Sequence, residues 1–123
     1  MSAIRKLMGS GLCAQAATYI NGDVLVGASA AGTSQSNATL LQYDFTEVTT
    51  CSSGQGVIAN SNNQIGDEFC VANAQASNAL LVYAEVGSKI NARSTTSGFS
   101  IPASKNALFI KVKPTQYYAI LSS

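Results

Sequence analysis

Apolar and polar residues alternate over many short segments of this chain, a pattern typical of β-strands rather than of helices. The most informative segment is residues 66–91, in which two apolar runs flank a short polar stretch. We predict that these runs form neighbouring antiparallel strands joined by a four- or five-residue turn. The second run, Leu80–Tyr83, has no polar face and therefore predicts a central strand that is covered on both sides.

Other short strands are predicted on both sides of this segment. They are residues 17–20, 23–26, 38–42, 44–51, 57–59, 99–101, 106–113 and 116–121. Asn21-Gly22 predicts a tight hairpin turn, and the ragged alternation of residues 44–51 predicts an edge strand. In residues 106–113, the face that carries Leu108, Ile110 and Val112 is the expected inner face.

This pattern predicts one all-β domain. Many short strands without a helical period favour an antiparallel β-sandwich or a jelly-roll-like barrel, which we assign to residues 12–123. Residues 1–11 contain two closely spaced glycines and are interpreted as an N-terminal arm. A chain of 123 residues is long enough to bury a core without a metal or disulfides.

The chain has few charged residues, and this bears on the functions that can be expected. Only 11% of the residues are charged and the net charge is +1, so a general nucleic-acid binder is not expected. All six acidic residues lie between Asp23 and Glu85, whereas the basic residues lie near the two ends. This segregation has two open interpretations, which are chance and complementary patches that meet between copies of the chain.

The first residues imitate a signal peptide, since Arg5 and Lys6 precede a short apolar stretch and Ala14-Gln15-Ala16. That stretch is interrupted by Gly-Ser-Gly, so we expect no secretion, and no run is long enough to cross a membrane. The three cysteines have unrelated spacings, which indicates reduced thiols and assembly in a cytoplasm.

Candidate chemistry is sparse. The chain has no histidine, which removes the commonest general base and the imidazole ligand of metals. Asp67 and Glu68 are adjacent, so in a strand they face opposite sides and cannot act as a pair. The segment Gly54-Gln55-Gly56 is too short for a phosphate-binding loop. We therefore expect no enzyme, no catalytic or metal-ligating residue and no cofactor.

A resemblance rests on an ordered set of segments. They are Ala30-Ala-Gly-Thr-Ser-Gln-Ser-Asn-Ala38, Val48-Thr-Thr50, Gly54-Gln-Gly-Val57, Gly66-Asp67, Val71-Ala-Asn-Ala74, Asn78-Ala-Leu-Leu-Val-Tyr83, Gly87 to Asn91, Phe109-Ile-Lys-Val112 and Gln116-Tyr-Tyr-Ala119. In this order, over about residues 28–120, the chain resembles small all-β virion proteins of tailed bacteriophages. The chain has Ala84 and Tyr117 where such proteins often carry Pro and Trp.

The resemblance implies a capsid decoration or cement protein that binds the major capsid protein and stabilises the head shell as a homotrimer. The implied location is the capsid surface of the virion, after assembly in the host cytoplasm. The expected shell-contacting residues of the arm are Ile4, Arg5, Lys6, Leu7 and Met8. The expected subunit-interface residues are Lys111, Lys113 and Tyr117.

Two alternatives remain open. One is a fibre or knob component, in which exposed tyrosines and the loop of residues 60–64 would bind a host surface glycan. The other is a secreted adhesin or pilin-like subunit, which would require cleavage after Ala16.

Overall fold

The computed structural model describes residues 24–122 and shows an all-β chain arranged in two sheets. The strands are β1 (Val24–Ser29), β2 (Thr39–Leu40), β3 (Phe45–Thr50), β4 (Gly56–Ile58), β5 (Glu68–Asn73), β6 (Leu80–Tyr83), β7 (Lys89–Ile90), β8 (Phe99–Ile101), β9 (Asn106–Lys113) and β10 (Gln116–Leu121). A short 3-10 helix spans Gln35–Asn37. The predicted arm of residues 1–11 and the Asn21-Gly22 turn lie outside the described residues.

The first six strands form a coil of three turns. Each turn contributes one strand to a six-stranded sheet of order β1-β3-β5-β9-β10-β7 and one to a four-stranded sheet of order β2-β4-β6-β8. Because the chain returns to the same sheet after every full turn, β1, β3 and β5 run parallel, as do β2, β4 and β6. Strands β8 and β9 then pair antiparallel with β6 and β5 and end the coil. The arrangement resembles a short β-solenoid.

The all-β class and the two sheets are therefore confirmed, whereas the antiparallel jelly-roll connection is wrong for most of the described chain. Among the strand pairs of residues 24–122, five are parallel and three are antiparallel. In particular, β5 and β6 lie in different sheets rather than in one hairpin. Side-chain period is the same for both pairings, so periodicity cannot distinguish a hairpin turn from a crossing between sheets.

The segment between β5 and β6 crosses between the sheets beside a buried amide. Asn73 is 1% exposed, and its Nδ2 donates to the carbonyl of Asn78 at 2.8 Å and to the carbonyl of Ile101 in β8 at 2.9 Å. These bonds tie the end of β5 to the four-stranded sheet. A buried polar group that is satisfied in this way fixes the path of the chain more specifically than apolar packing does.

Two other strand predictions have different outcomes. The interpretation of β6 as a central strand is confirmed, since it lies between β4 and β8 and Leu80, Val82 and Tyr83 are buried. The interpretation of residues 44–51 as an edge strand is wrong, because β3 lies between β1 and β5. The alternation of residues 44–51 is ragged for another reason. The side chains of β3 that point away from the core lie on a sheet face that is partly apolar.

One apolar core fills the space between the sheets. Its fully buried side chains include Val48, Val57, Val71, Val82, Ile101 and Phe109. The ring of Phe109 in β9 stacks on Phe69 at 4.9 Å and meets Phe99 of the other sheet edge-on at 5.6 Å. Each such burial contributes roughly 1.5–3 kcal/mol, and the aromatic contacts join the two sheets directly.

Close packing of the coil gives a test at Gly56, a buried residue of β4. A Cβ atom at this position would lie 2.5 Å from the backbone oxygen of Leu81 and 2.9 Å from the ring of Tyr83. Because β4 and β6 would have to separate, we expect Gly56→Ala to lower the free energy of unfolding by about 1–3 kcal/mol. Urea denaturation measures this, with Ser53→Ala in an exposed turn as control. Equal stability of the two variants would contradict the close approach of β4 and β6.

Candidate functional site on the outer face of the six-stranded sheet

Five apolar side chains form a continuous row across the six-stranded sheet, on the side that faces away from the core. Strand register pairs Val24 with Phe45, Phe45 with Cys70, Cys70 with Leu108, and Leu108 with Ile120. Paired residues on neighbouring strands point to the same face, so these five side chains are direct neighbours. We call this row, together with Ile110 and Tyr118 beside it, the outer apolar face.

Exposure distinguishes this surface from an ordinary solvated sheet. Val24 and Ile120 are each 64% exposed and Tyr118 is 53% exposed, while Phe45 and Leu108 are half-buried by their neighbours. A sheet that covers a core on one side normally presents polar residues on the other. A contiguous exposed apolar patch of this kind marks an interaction surface rather than a solvent boundary.

In the described parts of the five strands that form the row, the charged side chains on this face are two carboxylates, one on either side of the row. Glu68 is paired with Ile110, which is paired in turn with Tyr118. Glu47 is paired with Ala72 on the opposite side of the row. The centre of the face is therefore uncharged, and its borders carry one acid each.

The outer apolar face forms because β9 buries the side that we expected to face outward. Ala107, Phe109 and Lys111 are buried, whereas Leu108 and Ile110 are half-exposed and Val112 is exposed. The prediction that Leu108, Ile110 and Val112 form the inner face is wrong. The opposite side of β9 carries Lys111, and burial of a lysine is unfavourable unless its charge has a partner. The structure shows how this lysine is accommodated.

Lys111 forms a buried ion pair. Its Nζ lies 2.7 Å from Oε2 of Glu85, and their side chains are 8% and 10% exposed. Lys111 Nζ also donates to the backbone oxygen of Asn63 at 2.8 Å. Removal of both charges from water is costly, and the close opposite charge offsets part of that cost for each partner. The further hydrogen bond belongs to Lys111, whereas Oε1 of Glu85 is buried without a hydrogen-bond partner among the described residues. Glu85 follows β6, so the pair also links the two sheets.

Tyr117 completes this buried polar cluster. It is fully buried, its hydroxyl accepts a hydrogen bond from Nδ2 of Asn63 at 3.1 Å, and the ammonium of Lys111 lies 5.7 Å from its ring centre. Burial raises the pKa of Tyr117 well above its usual value, and the carboxylates of Glu85 and Asp67 raise that pKa further against the opposing effect of the Asn63 hydrogen bond. The hydroxyl therefore stays protonated at physiological pH.

The structure thus separates the three residues that sequence reasoning assigned to a subunit interface. Lys111 and Tyr117 are buried against their own chain, with polar groups engaged there, whereas Lys113 is exposed. Of the three, only Lys113 presents its side chain at the surface of the folded chain. The residues assigned to shell contact, Ile4 to Met8, lie outside the described residues.

The loop considered for glycan binding borders a shallow, mostly polar depression. Its lining residues are Leu41, Gln42, Tyr43, Asp44, Asn60, Asn63 and Phe69. Asn63 also serves the buried cluster through its backbone oxygen and side-chain amide. Asn60 accepts a hydrogen bond from the backbone N–H of Asn62 at 2.9 Å. Two amides and a half-buried tyrosine next to each other suit sugar hydroxyls, but the depression is small.

The described cysteines are unpaired thiols in different settings. Cys51 is buried, whereas Cys70 is half-buried within the outer apolar face. Burial raises the pKa of both thiols.

Within residues 24–122, no group of three or more His, Cys, Asp or Glu side chains is placed to hold a metal ion. No helix in the same part of the chain is long and apolar enough to cross a membrane.

Comparisons with protein-family models, with curated proteins and with solved structures find no match to this chain. The outer apolar face and the buried polar cluster are therefore described from the geometry of this chain alone.

The buried ion pair generates a test of stability. Lys111→Met leaves the Glu85 carboxylate buried without its partner, and we expect a loss of about 3–5 kcal/mol in the free energy of unfolding. In the double variant Lys111→Met/Glu85→Gln both charges are gone, so much of that loss should be recovered. Urea denaturation of the two single variants and the double variant measures the coupling. Strictly additive effects would contradict the pairing.

Tyr117 generates a test of pH dependence. Its folded-state pKa is raised, so its stabilising effect is fully present below pH 10 and is lost as pH rises, because the unfolded tyrosine ionises near pH 10. Between about pH 10 and 12, we expect stability to fall by up to roughly 1.4 kcal/mol per pH unit from this group. Tyr117→Phe should make that fall shallower. Tyr118→Phe, which removes an exposed hydroxyl from the same strand, is the control, and equal slopes in both variants would refute the assignment.

Proposed function

We propose that this chain is a non-enzymatic structural protein of a tailed-bacteriophage virion, a capsid decoration or cement protein that acts on the head shell as a homotrimer. The observation that carries this proposal is the outer apolar face, in which Val24, Ile120 and Tyr118 are more than half exposed. An exposed apolar sheet face of this extent is unfavourable for a chain that works alone in water. It is expected in a protein whose working state is an assembly.

Composition supports the same proposal. Neutral polar residues cover much of the remaining surface, and charged residues make up only 11% of the chain. Such a surface can approach a protein shell without large desolvation penalties for ions. Many copies on one shell then add weak individual contacts by multivalency. The ordered segments that resemble small virion proteins supply the particular context.

In this proposal the arm formed by Ile4 to Met8 contacts the major capsid protein, and the sheet meets other copies of the chain. Basic residues beside apolar ones in the arm suit an acidic shell surface. The protein is located on the capsid surface, after assembly in the host cytoplasm, and needs neither cofactor nor nucleic acid nor membrane.

A fibre or knob component with a glycan-binding role is the second candidate. The observation that favours it is the polar depression beside Tyr43, Asn60 and Asn63. In that case free protein should bind host surface glycans, and Tyr43→Ala should weaken the binding. Copy number also separates the candidates, since cement is present in far more copies per particle than a fibre tip.

The proposed location has a direct test in cryo-EM reconstruction of virions that carry this chain. We expect its density on the shell at threefold and quasi-threefold positions, with residues 1–11 in contact with capsid protein. Density restricted to the tail or fibres would refute the cement function and favour the second candidate.

A binding assay tests the arm. The chain is added to shells that lack it, and binding is compared between the parent chain, Arg5→Glu/Lys6→Glu and the control Lys105→Glu/Arg93→Glu. Charge reversal in the arm should weaken binding at least tenfold, while the control pair should leave it nearly unchanged. Equal losses in both variants would show that total charge, rather than the arm, governs binding.

A further inference from the structure

We propose that the buried polar cluster is a self-modification site, at which Lys111 and Asn63 form an amide cross-link and Glu85 carries the proton. The inference goes beyond the proposed function and does not depend on it. Its starting observation is that an amine, a carboxylate and a carboxamide, which are distant in sequence, meet at one place in the fold.

The nucleophile and its base are already in contact. Nζ of Lys111 lies 2.7 Å from Oε2 of Glu85, and the two side chains are 8% and 10% exposed. A proton of the ammonium can pass directly to the carboxylate across this distance. An amine that has lost its proton in a site with little water is a nucleophile toward a carbonyl carbon.

The electrophile is the side-chain amide of Asn63. Nζ of Lys111 already donates to the backbone oxygen of this residue at 2.8 Å, and Nδ2 of Asn63 donates to the hydroxyl of Tyr117 at 3.1 Å. Asn63 is half-buried in the loop between β4 and β5. Rotation about its Cα–Cβ bond therefore moves Cγ relative to Nζ, and the reaction requires these two atoms to approach to about 3–3.5 Å.

One oxygen of Glu85 distinguishes this cluster from an ordinary buried ion pair. Oε1 is buried and has no hydrogen-bond partner among the described residues. In a pair that serves stability alone, a carboxylate oxygen without a partner is costly, so the arrangement needs another explanation. In the proposed reaction, Glu85 has to receive a proton and then deliver it, and a free oxygen serves that purpose.

The reaction is an exchange of one amide for another. Nζ of Lys111 gives a proton to Glu85, and its lone pair forms a bond to Cγ of Asn63 while the π electrons of the carbonyl move to Oδ1. Glu85 then gives the proton to Nδ2, the Cγ–Nδ2 bond breaks with its electron pair on nitrogen, and the carbonyl is restored as ammonia leaves. Nζ loses a second proton through Glu85 to the ammonia. One ammonium ion is therefore released for each new amide.

The cross-link joins β9 to the loop before β5, across 48 residues of the chain. Such a link restricts the unfolded chain as a disulfide does, because the two linked residues cannot separate. Unlike a disulfide, an amide does not depend on the redox conditions, and the described cysteines are unpaired thiols. The chain would gain resistance to unfolding without a disulfide.

Mass spectrometry of the purified full-length chain tests the inference. We expect the intact chain to be lighter than its sequence by one molecule of ammonia, and a digest to contain a branched peptide that joins Asn63 to Lys111. Lys111→Arg keeps a positive charge beside Glu85 but removes the amine, so this variant should keep its full mass. Lys113→Arg, at an exposed position of the same strand, is the matched control and should form the link as the parent does.

Glu85→Gln tests the proton carrier, since it keeps both reacting groups. Link formation, followed by intact mass at intervals after synthesis, should slow at least about tenfold. Asn63→Ser removes the amide and should keep its full mass. Circular dichroism checks that the variants fold, and the mass of the parent chain needs no variant. Because only the unlinked chain retains the ion pair, the urea comparison of Lys111→Met with the double variant uses Asn63→Ser in every chain.

Four outcomes would overturn the inference. A parent chain at its full mass contains no new amide, and a loss of ammonia that persists in Lys111→Arg belongs to another site. A link that forms with loss of water joins Lys111 to a carboxyl group such as that of Glu85 rather than to Asn63. Equal rates in Glu85→Gln and the parent would show that Glu85 carries no proton. None of these results affects the shell location and shell binding that test the proposed function.

Discussion

The ion pair between Lys111 and Glu85 allows the side of β9 that carries Lys111 to face the core. Lys111 belongs to the same side of the strand as Phe109, and Glu85 supplies the negative charge that allows this side to be buried. With Phe109 and Lys111 inside, Leu108 and Ile110 must point outward, because strand side chains alternate. The outward position of Leu108 and Ile110 is thus linked to a charge pair in the interior.

The three-turn coil extends the outer apolar face across several strands. Parallel pairing of β1, β3 and β5 aligns Val24, Phe45 and Cys70, and the antiparallel addition of β9 and β10 continues the row with Leu108 and Ile120. Strand β9 is apolar along most of its outer side, where it carries Leu108, Ile110 and Val112. The row arises because five strands each contribute one side chain at the same level of the sheet, and Ile110 and Tyr118 extend it on β9 and β10.

The interior and the surface of this molecule therefore differ in composition and in role. The interior combines an aromatic core with a compact polar cluster of Glu85, Lys111, Asn63 and Tyr117, and that cluster joins the sheets and a loop. The exterior presents an apolar sheet on one side and polar loops elsewhere. A structural protein that works in contact with neighbours is the function that this division supports best, and we keep it as a proposal.

The sequence by itself determined the all-β class and the position of most strands, since alternation and turn residues act over short distances. Strands β9 and β10 were predicted at their observed bounds, and the covered strand β6 was recognised from its lack of a polar face. Only the tertiary structure decided that β5 and β6 lie in different sheets and that β9 buries Lys111. Both depend on partners distant in sequence, such as Ile101 for Asn73 and Glu85 for Lys111, and the local pattern of a strand carries no information about them.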